Sequence, residues 1–252
     1  NTGGEFELAN TTSWGVSTRM IGGVIMVHGD DDGLRVPPRI APWQVVIVPM
    51  LRDNDEDAAL IAYCKELQAA LAATGALGEP VRALLDLKPA KSTTKRWGWV
   101  KKGAPIVVEV GGRDMAGGNV SVVRRDRLYR EDGKLDSRII TRLAFEGDVG
   151  GMLGEIQAAL HADARARLEA NIVPANDWAA LEAHFADGAR NPGWRTVEWS
   201  KPTGAALDKV VERLKALKLT LRNVPLEAAP ATGACVFTGE PAVERVLVGR
   251  SY

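Results

Sequence analysis

The segment 88–102 (KPAKSTTKRWGWVKK) carries the side chains best suited to binding a polyanion. It contains six cations and no acidic residue, and Trp97 and Trp99 stand among the cations. Clustered cations neutralise phosphates and flat side chains stack on unpaired bases, so this composition is typical of a single-stranded nucleic-acid surface. A solvated loop whose tryptophans fill the core fits it equally well, because an extended segment would point both rings to one side.

Three other polar clusters are weaker candidates for a ligand site. The four arginines within 124–130 indicate a charged strand end more than a binding site. His28 precedes the aspartates 30–32, and a polar turn is favoured over a metal site because consecutive residues rarely converge on one ion. Arg19 follows Ser17 and Thr18 within an apolar stretch, and a buried arginine needs an anion, either a carboxylate or a ligand phosphate.

The composition indicates an ordinary globular protein. The chain has 252 residues, which favours two domains, and 32 basic residues balance 32 acidic ones. Two cysteines are too few for a disulfide framework, so a reducing compartment is expected. No apolar run approaches the ~20 residues of a membrane span, and the first residues lack the features of a signal peptide. We therefore expect a soluble, cytoplasmic protein.

The first half of the chain divides at a connector. Residues 1–27 are expected to form strands, although 20–26 could be a buried strand or a helix. Residues 29–43 contain three prolines and two glycines and predict an extended linker. A buried strand over 44–50 follows, and then a helix that begins near 53–55 and ends at Gly75. The apolar stripe of that helix consists of Leu60, Cys64, Leu67 and Leu71.

Helices and strands alternate over the rest of the chain, which indicates an α/β or α+β class. Further strands are predicted at 81–85, 105–110, 119–124 and 194–199. Helices are predicted at about 149–170, 176–185 and 207–217, and 233–252 is expected to close the chain as a hairpin.

The segment 12–50 (TSWGVSTRMIGGVIMVHGDDDGLRVPPRIAPWQVVIVPM) resembles prolyl-tRNA synthetases, which are class II aminoacyl-tRNA synthetases. It is similar to the stretch that joins their third signature motif to the anticodon-binding domain. GAPIVVEVGGRD and VVRRD are similar to later strands, and the terminal Tyr252 after VLVGRS is similar to one branch of the family. The resemblance is strong over 12–50, moderate over 95–126 and weak over 150–200.

The resemblance implies an α/β chain with three parts. Residues 1–37 would end the antiparallel catalytic sheet of a class II synthetase. Residues 38–147 would form an α/β anticodon-binding domain with a mixed sheet. Residues 148–252 would form a linking helix and a small α+β C-terminal domain.

The resemblance also implies roles in the catalytic part. Arg19 matches the third-motif arginine that holds the ATP γ-phosphate, with Thr18 beside it, and such a fork binds phosphate bidentately. Ser13, Trp14 and Gly15 match the floor of the prolyl-adenylate pocket.

In the anticodon-binding part, Lys95 matches the lysine that would read the anticodon. Trp99 matches a core tryptophan, Asp86 matches an acidic residue that ends the preceding strand, and Arg96 is a further candidate for contact with tRNA. The family's Pro-Gly is replaced by threonines at 93–94, and its acidic run by Leu-Lys at 87–88. We therefore expect the loop to contact RNA differently.

Four cysteines hold zinc in the terminal domain of one branch of the family. Here Ser200, Asn223 and Thr238 stand near those positions and only Cys235 remains. One thiolate cannot make a structural zinc site, so we predict that the domain is retained without metal.

The function implied is proline–tRNA ligation, with ATP and Mg²⁺ in the catalytic part and with proline, proline tRNA and a second subunit as partners. The first and second class II motifs are not in the chain, so we expect a fragment that is inactive alone and binds the anticodon. The alternative is a stand-alone RNA-binding module without catalysis. The third-motif residues 15–19 favour the ligase, because a binding module does not need them.

Overall fold

The computed structural model describes residues 3–6, 11–186, 193–226 and 230–250. The chain forms two compact units, Asn1–Ala164 and Arg165–Tyr252. Each unit has its own hydrophobic core. The three-part division predicted above, at 37/38 and 147/148, stays a prediction.

The first unit contains five helices, the last of which continues into the second unit, and seven strands among its described residues. In chain order they are α1 (Arg19–His28), β1 (Val45–Pro49), α2 (Asp57–Ala73), β2 (Gly75–Ala76), β3 (Glu79–Pro80), β4 (Ala83–Leu85), α3 (Ser92–Lys102), β5 (Ile106–Val110), α4 (Gly112–Ala116), β6 (Asn119–Arg124), β7 (Ser137–Thr141) and α5 (Arg142–Ala170).

The main sheet of this unit has the order β4-β1-β5-β6-β7. Strand β1 runs parallel to both β4 and β5, whereas β6 and β7 are antiparallel to their neighbours. The mixed sheet and the α/β class are therefore confirmed. Strand β7 was missed because its residues are largely exposed and do not alternate in polarity.

The two faces of the sheet are covered by different helices. Val45 and Ile47 of β1 point toward the side of α2 and α5, and the predicted stripe of α2 is fully or almost fully buried there. Val46 and Val48 point to the opposite side, where Trp99 of α3 packs against them. Cys64 belongs to the first of these cores, and burial raises the pKa of its thiol to about 12. Its assignment to the core is confirmed.

The strands expected within 1–27 are wrong for the part of that segment that the structure describes. Residues 11–18 have no regular structure, and α1 begins at Arg19, so the helical alternative for 20–26 is correct. A strand needs a neighbour to satisfy its backbone, whereas a helix satisfies its own. No neighbouring strand is present beside residues 11–28 among the described residues. Helix α1 has no buried residue.

The second unit has a four-stranded sheet in the order β10-β11-β9-β8. Its elements after α5 are β8 (Ile172–Pro174), α6 (Trp178–Ala186), β9 (Trp194–Trp199), α7 (Gly204–Ala216), β10 (Leu219–Leu221) and β11 (Glu244–Arg250). The helices predicted at 176–185 and 207–217 and the strand at 194–199 are confirmed.

The hairpin predicted at 233–252 is present only as a short turn in the described residues of that segment, 233–250, where Ala234 and Pro241 form an isolated antiparallel bridge. The strand that follows, β11, pairs with β9 and β10 instead of with a strand of its own segment. Tyr252 lies outside the described residues.

In the described part of the chain, every helix is too short or too polar to cross a membrane.

Candidate nucleic-acid interface

The first half of helix α3 lies near the carboxyl ends of the parallel strands β4, β1 and β5. Asp86 directly follows β4, and its backbone N–H donates to Ile47 O at 2.9 Å. Glu109 sits near the end of β5 and pairs with Val48 in the register. The carboxyl ends of parallel strands are where open α/β sheets bind ligands, so the charged residues here form the first candidate site.

The predicted residues Asp86 and Lys95 are brought together, and Trp99 joins them. Lys95 Nζ donates to Asp86 O at 3.0 Å, and Trp99 Nε1 donates to Asp86 Oδ2 at 2.7 Å. Burial raises the pKa of Asp86, but the hydrogen bonds from Trp99 and from the Lys88 amide, together with the nearby lysine charges, bring it below its ordinary value. The Asp86 carboxylate therefore stays ionised and fixes this end of α3.

Lys95 faces the protein interior. The residue is only 7% exposed, and its ammonium is held by the Asp86 carbonyl. In this arrangement Lys95 ties α3 to the end of β4. A direct contact between its ammonium and a base would require the side chain to leave that carbonyl.

Arg96 forms an ion pair with Glu109 of β5. The Arg96 Nη1 to Glu109 Oε2 distance is 2.7 Å, and the two side chains are 18% and 7% exposed. Both bear an unsatisfied atom: Arg96 Nε and Glu109 Oε1 are buried without a hydrogen-bond partner among the described residues. The sequence patterns did not single out Glu109, although a charge inside the apolar strand IVVEV was a visible signal.

The outer face of α3 is cationic and carries one exposed ring. Trp97 is 40% exposed, with the Arg96 guanidinium 5.6 Å from its ring centroid. Lys91, Lys101 and Lys102 are exposed as well. Residues 92–102 form a helix and not an extended loop, so the condition under which both rings would share one side is not met. The helix separates the two tryptophans by about 200° around its axis. Each interpretation of the segment therefore applies to one ring: Trp99 packs in the core, and Trp97 is available for stacking.

The arginines within 124–130 are paired with carboxylates, as the interpretation without a ligand predicted. Arg124 bonds Asp126 and Glu155, Arg127 approaches both of them, and Arg130 lies 3.8 Å from Asp132. Arg125 is 3% exposed and forms a bidentate pair with Asp30.

The aspartates after His28 form a turn, which confirms the polar-turn interpretation. The Asp30 and Gly33 backbones pair with each other, and the Asp32 amide donates to Asp30 Oδ1 at 3.0 Å. Asp30 is committed to Arg125, which keeps the pKa of the Asp30 carboxyl below its ordinary value despite partial burial.

The residues matched to the ATP and prolyl-adenylate sites are distant in sequence from this cluster, and they are exposed whereas the cluster is largely buried. Ser13, Trp14 and Gly15 are exposed, with Trp14 at 93%. Thr18 occupies the N-cap position of α1 and Arg19 is its first residue, and both are exposed. Their roles stay predictions.

In the second unit, three of the residues that stand near the positions of the family's zinc-binding cysteines lie close together. Ser200 Oγ and Thr238 Oγ1 are 3.1 Å apart, and both hydroxyls hydrogen-bond the Cys235 thiol. Burial raises the pKa of Cys235, but these bonds and two backbone contacts lower it overall. Two hydroxyls and one thiol do not fit a structural zinc site, which needs four nitrogen or thiolate ligands. In the described part of the chain no group of three or more His, Cys, Asp or Glu could hold a metal.

Comparison with known proteins agrees with this geometry. Residues 44–139, which include α3 and the charged cluster, match the family described as "Anticodon binding domain". The chain is similar to proteins named proline–tRNA ligase: it is 70% identical to that of Sphingomonas elodea over 100% of the chain and 50% of the relative. The protein of Sphingopyxis alaskensis is 64% identical over 99% of the chain and 47% of the relative. That of Bdellovibrio bacteriovorus is 40% identical over 99% of the chain and 48% of the relative.

The chain thus spans about half the length of the curated relatives that it matches. The matched half is the C-terminal one. Over its whole length the chain is similar to the C-terminal half of proteins named proline–tRNA ligase, and its residues 44–139 match the anticodon-binding domain family.

Proposed function

We propose that the chain binds the anticodon of proline tRNA through the outer face of α3 and the carboxyl ends of β4, β1 and β5. The observation that carries this proposal is the cationic face of α3, with the half-exposed Trp97 on it, inside the region that matches an anticodon-binding domain. Lysines neutralise the phosphates of the loop, and the indole offers a stacking surface to an unpaired base.

Asp86 and Lys95 lie buried beneath this surface, and Arg96 lies at its edge. Asp86 and Lys95 hold α3 in place through the buried contact at 3.0 Å. The role that the resemblance implies for Lys95, contact with an anticodon base, is part of the proposal and requires the ammonium to exchange the Asp86 carbonyl for a base acceptor. Arg96 is more exposed than Lys95 and is held by its ion pair with Glu109.

We extend the proposal to the reaction that the relatives' name states. In this proposal residues 1–37 complete a catalytic domain that activates proline with ATP and Mg²⁺, and the whole enzyme is a cytoplasmic homodimer. Arg19 and Thr18 bind the γ-phosphate, and Ser13, Trp14 and Gly15 line the prolyl-adenylate pocket. Residues 38–147 bind the anticodon, and 148–252 form the linking helix and the terminal domain.

The second candidate is a stand-alone RNA-binding module that uses the same surface without catalysis. The two candidates predict the same anticodon binding and differ over residues 12–28. The match to proline–tRNA ligases covers the entire chain, including this segment, instead of being confined to 44–139. This extent favours the ligase.

Fluorescence anisotropy with proline tRNA tests the proposed binding. The two anticodon guanines shared by proline tRNAs would be kept or replaced, at one fixed salt concentration. We expect their replacement to weaken binding by ~1–3 kcal/mol, the range for a good base contact. Lys95→Ala should reduce this difference, and Trp97→Ala should weaken binding by ~1–3 kcal/mol, as for loss of one stacked base.

Lys65→Ala is the matched control, because Lys65 is an exposed lysine on α2, across the sheet from α3. We expect it to bind like the wild type. Lys91→Ala should weaken binding to both tRNAs and lower the salt dependence of the binding constant, as for a phosphate contact. Equal binding of both tRNAs by the wild type, or equal effects of Lys65→Ala and Lys91→Ala, would reject the proposed surface.

A further inference from the structure

We propose that Glu109 is a specificity-determining residue, which accepts hydrogen bonds from the donor edge of one anticodon guanine. This inference rests on the proposed function and adds a residue and a base chemistry to it.

Glu109 is an unusual residue for its position. It is 5% exposed, and the other four residues of β5 are isoleucine or valine. Burying an ionised carboxylate costs much free energy unless it is fully paired. Here only Oε2 is paired, with Arg96, while Oε1 has no partner among the described residues. The strand therefore carries a buried carboxylate of which one oxygen is hydrogen-bonded and the other is not.

Arg96 has an unsatisfied atom of the opposite kind. Its Nη1 is used by Glu109, and its Nε is buried without a partner in the described part of the chain. A donor and an acceptor are therefore both unsatisfied within one ion pair. Buried polar groups of native proteins are normally bonded, so such a pair calls for a further partner that offers a donor and an acceptor together.

Guanine offers this combination on one edge. Its N1–H and N2–H groups are adjacent donors that suit a carboxylate, and its O6 is an acceptor that suits a guanidinium. Arginine is also the commonest partner of the guanine O6 and N7 acceptors in nucleic-acid complexes. Adenine, cytosine and uracil lack two adjacent donors on different ring positions. The Glu109–Arg96 pair thus complements guanine better than the other three bases.

The base enters between the two side chains. The Arg96 side chain is 18% exposed and the Glu109 side chain 7%, so Arg96 is the one that shifts aside. The Trp97 ring, 5.6 Å from the guanidinium, supports the shifted group while it donates to O6. Glu109 therefore discriminates bases, whereas Trp97 and the exposed lysines supply binding that is blind to sequence.

Inosine provides the test, because it differs from guanosine only by lacking the N2 amine. Each anticodon guanine would be replaced singly by the inosine base in a proline tRNA anticodon stem-loop, and anisotropy would be measured with the full chain. For the wild type we expect one of the two replacements to weaken binding about 5- to 100-fold. With Glu109→Gln, which keeps the shape and removes the charge, that difference should fall to less than about twofold.

Glu155→Gln is the matched control, since Glu155 is an exposed carboxylate of α5 that also pairs with an arginine, Arg124. It should keep the inosine difference. Should Glu109→Gln unfold, Glu109→Asp retains the charge but withdraws it by one methylene, and it should lose the same difference.

The outcomes separate the two proposals. If the wild type does not distinguish the native loop from loops with replaced guanines, the proposed function fails. If the wild type distinguishes inosine and a folded Glu109 variant does so equally, anticodon binding stands and the role of Glu109 is rejected; its second oxygen is then satisfied by water.

Discussion

At the scale of single residues, three buried charges define the candidate interface: Asp86, Lys95 and Glu109 are 6%, 7% and 5% exposed. The first two are satisfied within the fold, since Lys95 bonds the Asp86 backbone while Trp99 bonds the Asp86 carboxylate. Glu109 is the exception, with one oxygen unpaired among the described residues. The hydrogen bonds of the first two are thus made within the fold, whereas one oxygen of the third has no partner there.

Lys95→Met should lower the free energy of unfolding of the first unit by about 1.5–3 kcal/mol. The variant keeps most of the side-chain volume but removes a hydrogen bond from a charged donor to a buried carbonyl. Urea unfolding followed by circular dichroism measures the change. Lys91→Met, at an exposed lysine just before α3, should change the value by less than about 0.5 kcal/mol. Equal effects of the two variants would contradict the structural role of Lys95.

The stability contributed by Asp86 should depend on pH. Its pKa is lower in the folded chain than its ordinary value, so its contribution is present above that ordinary value, about 4, and is lost as the pH falls through the folded pKa. We expect Asp86→Asn to be less stable than the wild type at pH 7. The difference should shrink progressively below about pH 4 in urea unfolding. Asp30 titrates in both the wild type and Asp86→Asn, so its contribution to the free energy of unfolding cancels from the difference between them. A difference independent of pH would contradict the ionised state of Asp86.

Removal of metal should leave the second unit unchanged. Ser200, Cys235 and Thr238 satisfy one another by hydrogen bonds and do not fit a zinc ligand set. We expect a chelator to leave the unfolding temperature as it is, and metal analysis to find no stoichiometric zinc. A destabilisation by chelator that added zinc reverses would contradict this prediction.

At the scale of elements, the connector after α1 is fastened to the last turn of α3. The Leu34 amide donates to Lys101 O at 3.0 Å and the Val36 amide to Gly103 O at 3.1 Å. Arg125 adds a bond from its Nε to Val100 O at 3.0 Å while it pairs with Asp30. The helix of the candidate interface is therefore held at both ends, by Asp86 at its first half and by residues 30–36 at its last turn.

Two glycines make this close approach possible. Gly33 and Gly103 have φ angles of +124° and +82°. A Cβ on Gly33 would lie 2.4 Å from Lys101 O, and one on Gly103 would lie 2.6 Å from Leu34 O. Both the backbone conformation and the lack of space therefore exclude other residues here.

Gly33→Ala and Gly103→Ala should each destabilise the first unit by about 2 kcal/mol or more, because a strained backbone alone costs about 1–3 kcal/mol. Gly98→Ala is the control: Gly98 lies inside α3, and a Cβ added there would meet nothing within 4 Å, so this variant should stabilise the chain by about 0.5–1 kcal/mol. Thermal or urea unfolding gives all three values. A neutral Gly33→Ala would show that the connector can leave α3 at little cost.

At the scale of the whole molecule, each unit has a separate set of buried residues. The core of the first unit includes Leu153 and Ile156 of α5, and that of the second includes Leu214 and Val248. Separate cores predict separate cooperative transitions, as is common for chains with several domains.

Leu153→Ala should destabilise the first unit by about 2–5 kcal/mol and leave the transition of the second unit in place. Leu214→Ala should do the reverse. Both leucines are buried, at 0% and 5% exposure. Differential scanning calorimetry of the two variants and the wild type resolves the transitions. A single transition that both variants shift equally would contradict independent units.

The sequence by itself determined the α/β class and most helices and strands, and its motifs resemble one family. The helices and strands depend on short-range spacing: the stripe of α2 follows the helical period, and the valines of β1 form one continuous apolar run. The core position of Cys64 followed from the same stripe.

Only the tertiary structure decided which charged residues meet. Arg96 and Glu109 are 13 positions apart, and they pair because α3 crosses the end of β5. The packing of α3 also sends Trp99 into the core and leaves Trp97 half-exposed, which the spacing of the two residues could not show. Local periodicity fixes the face of an element that is buried, whereas contacts between distant residues depend on how elements are placed on one another.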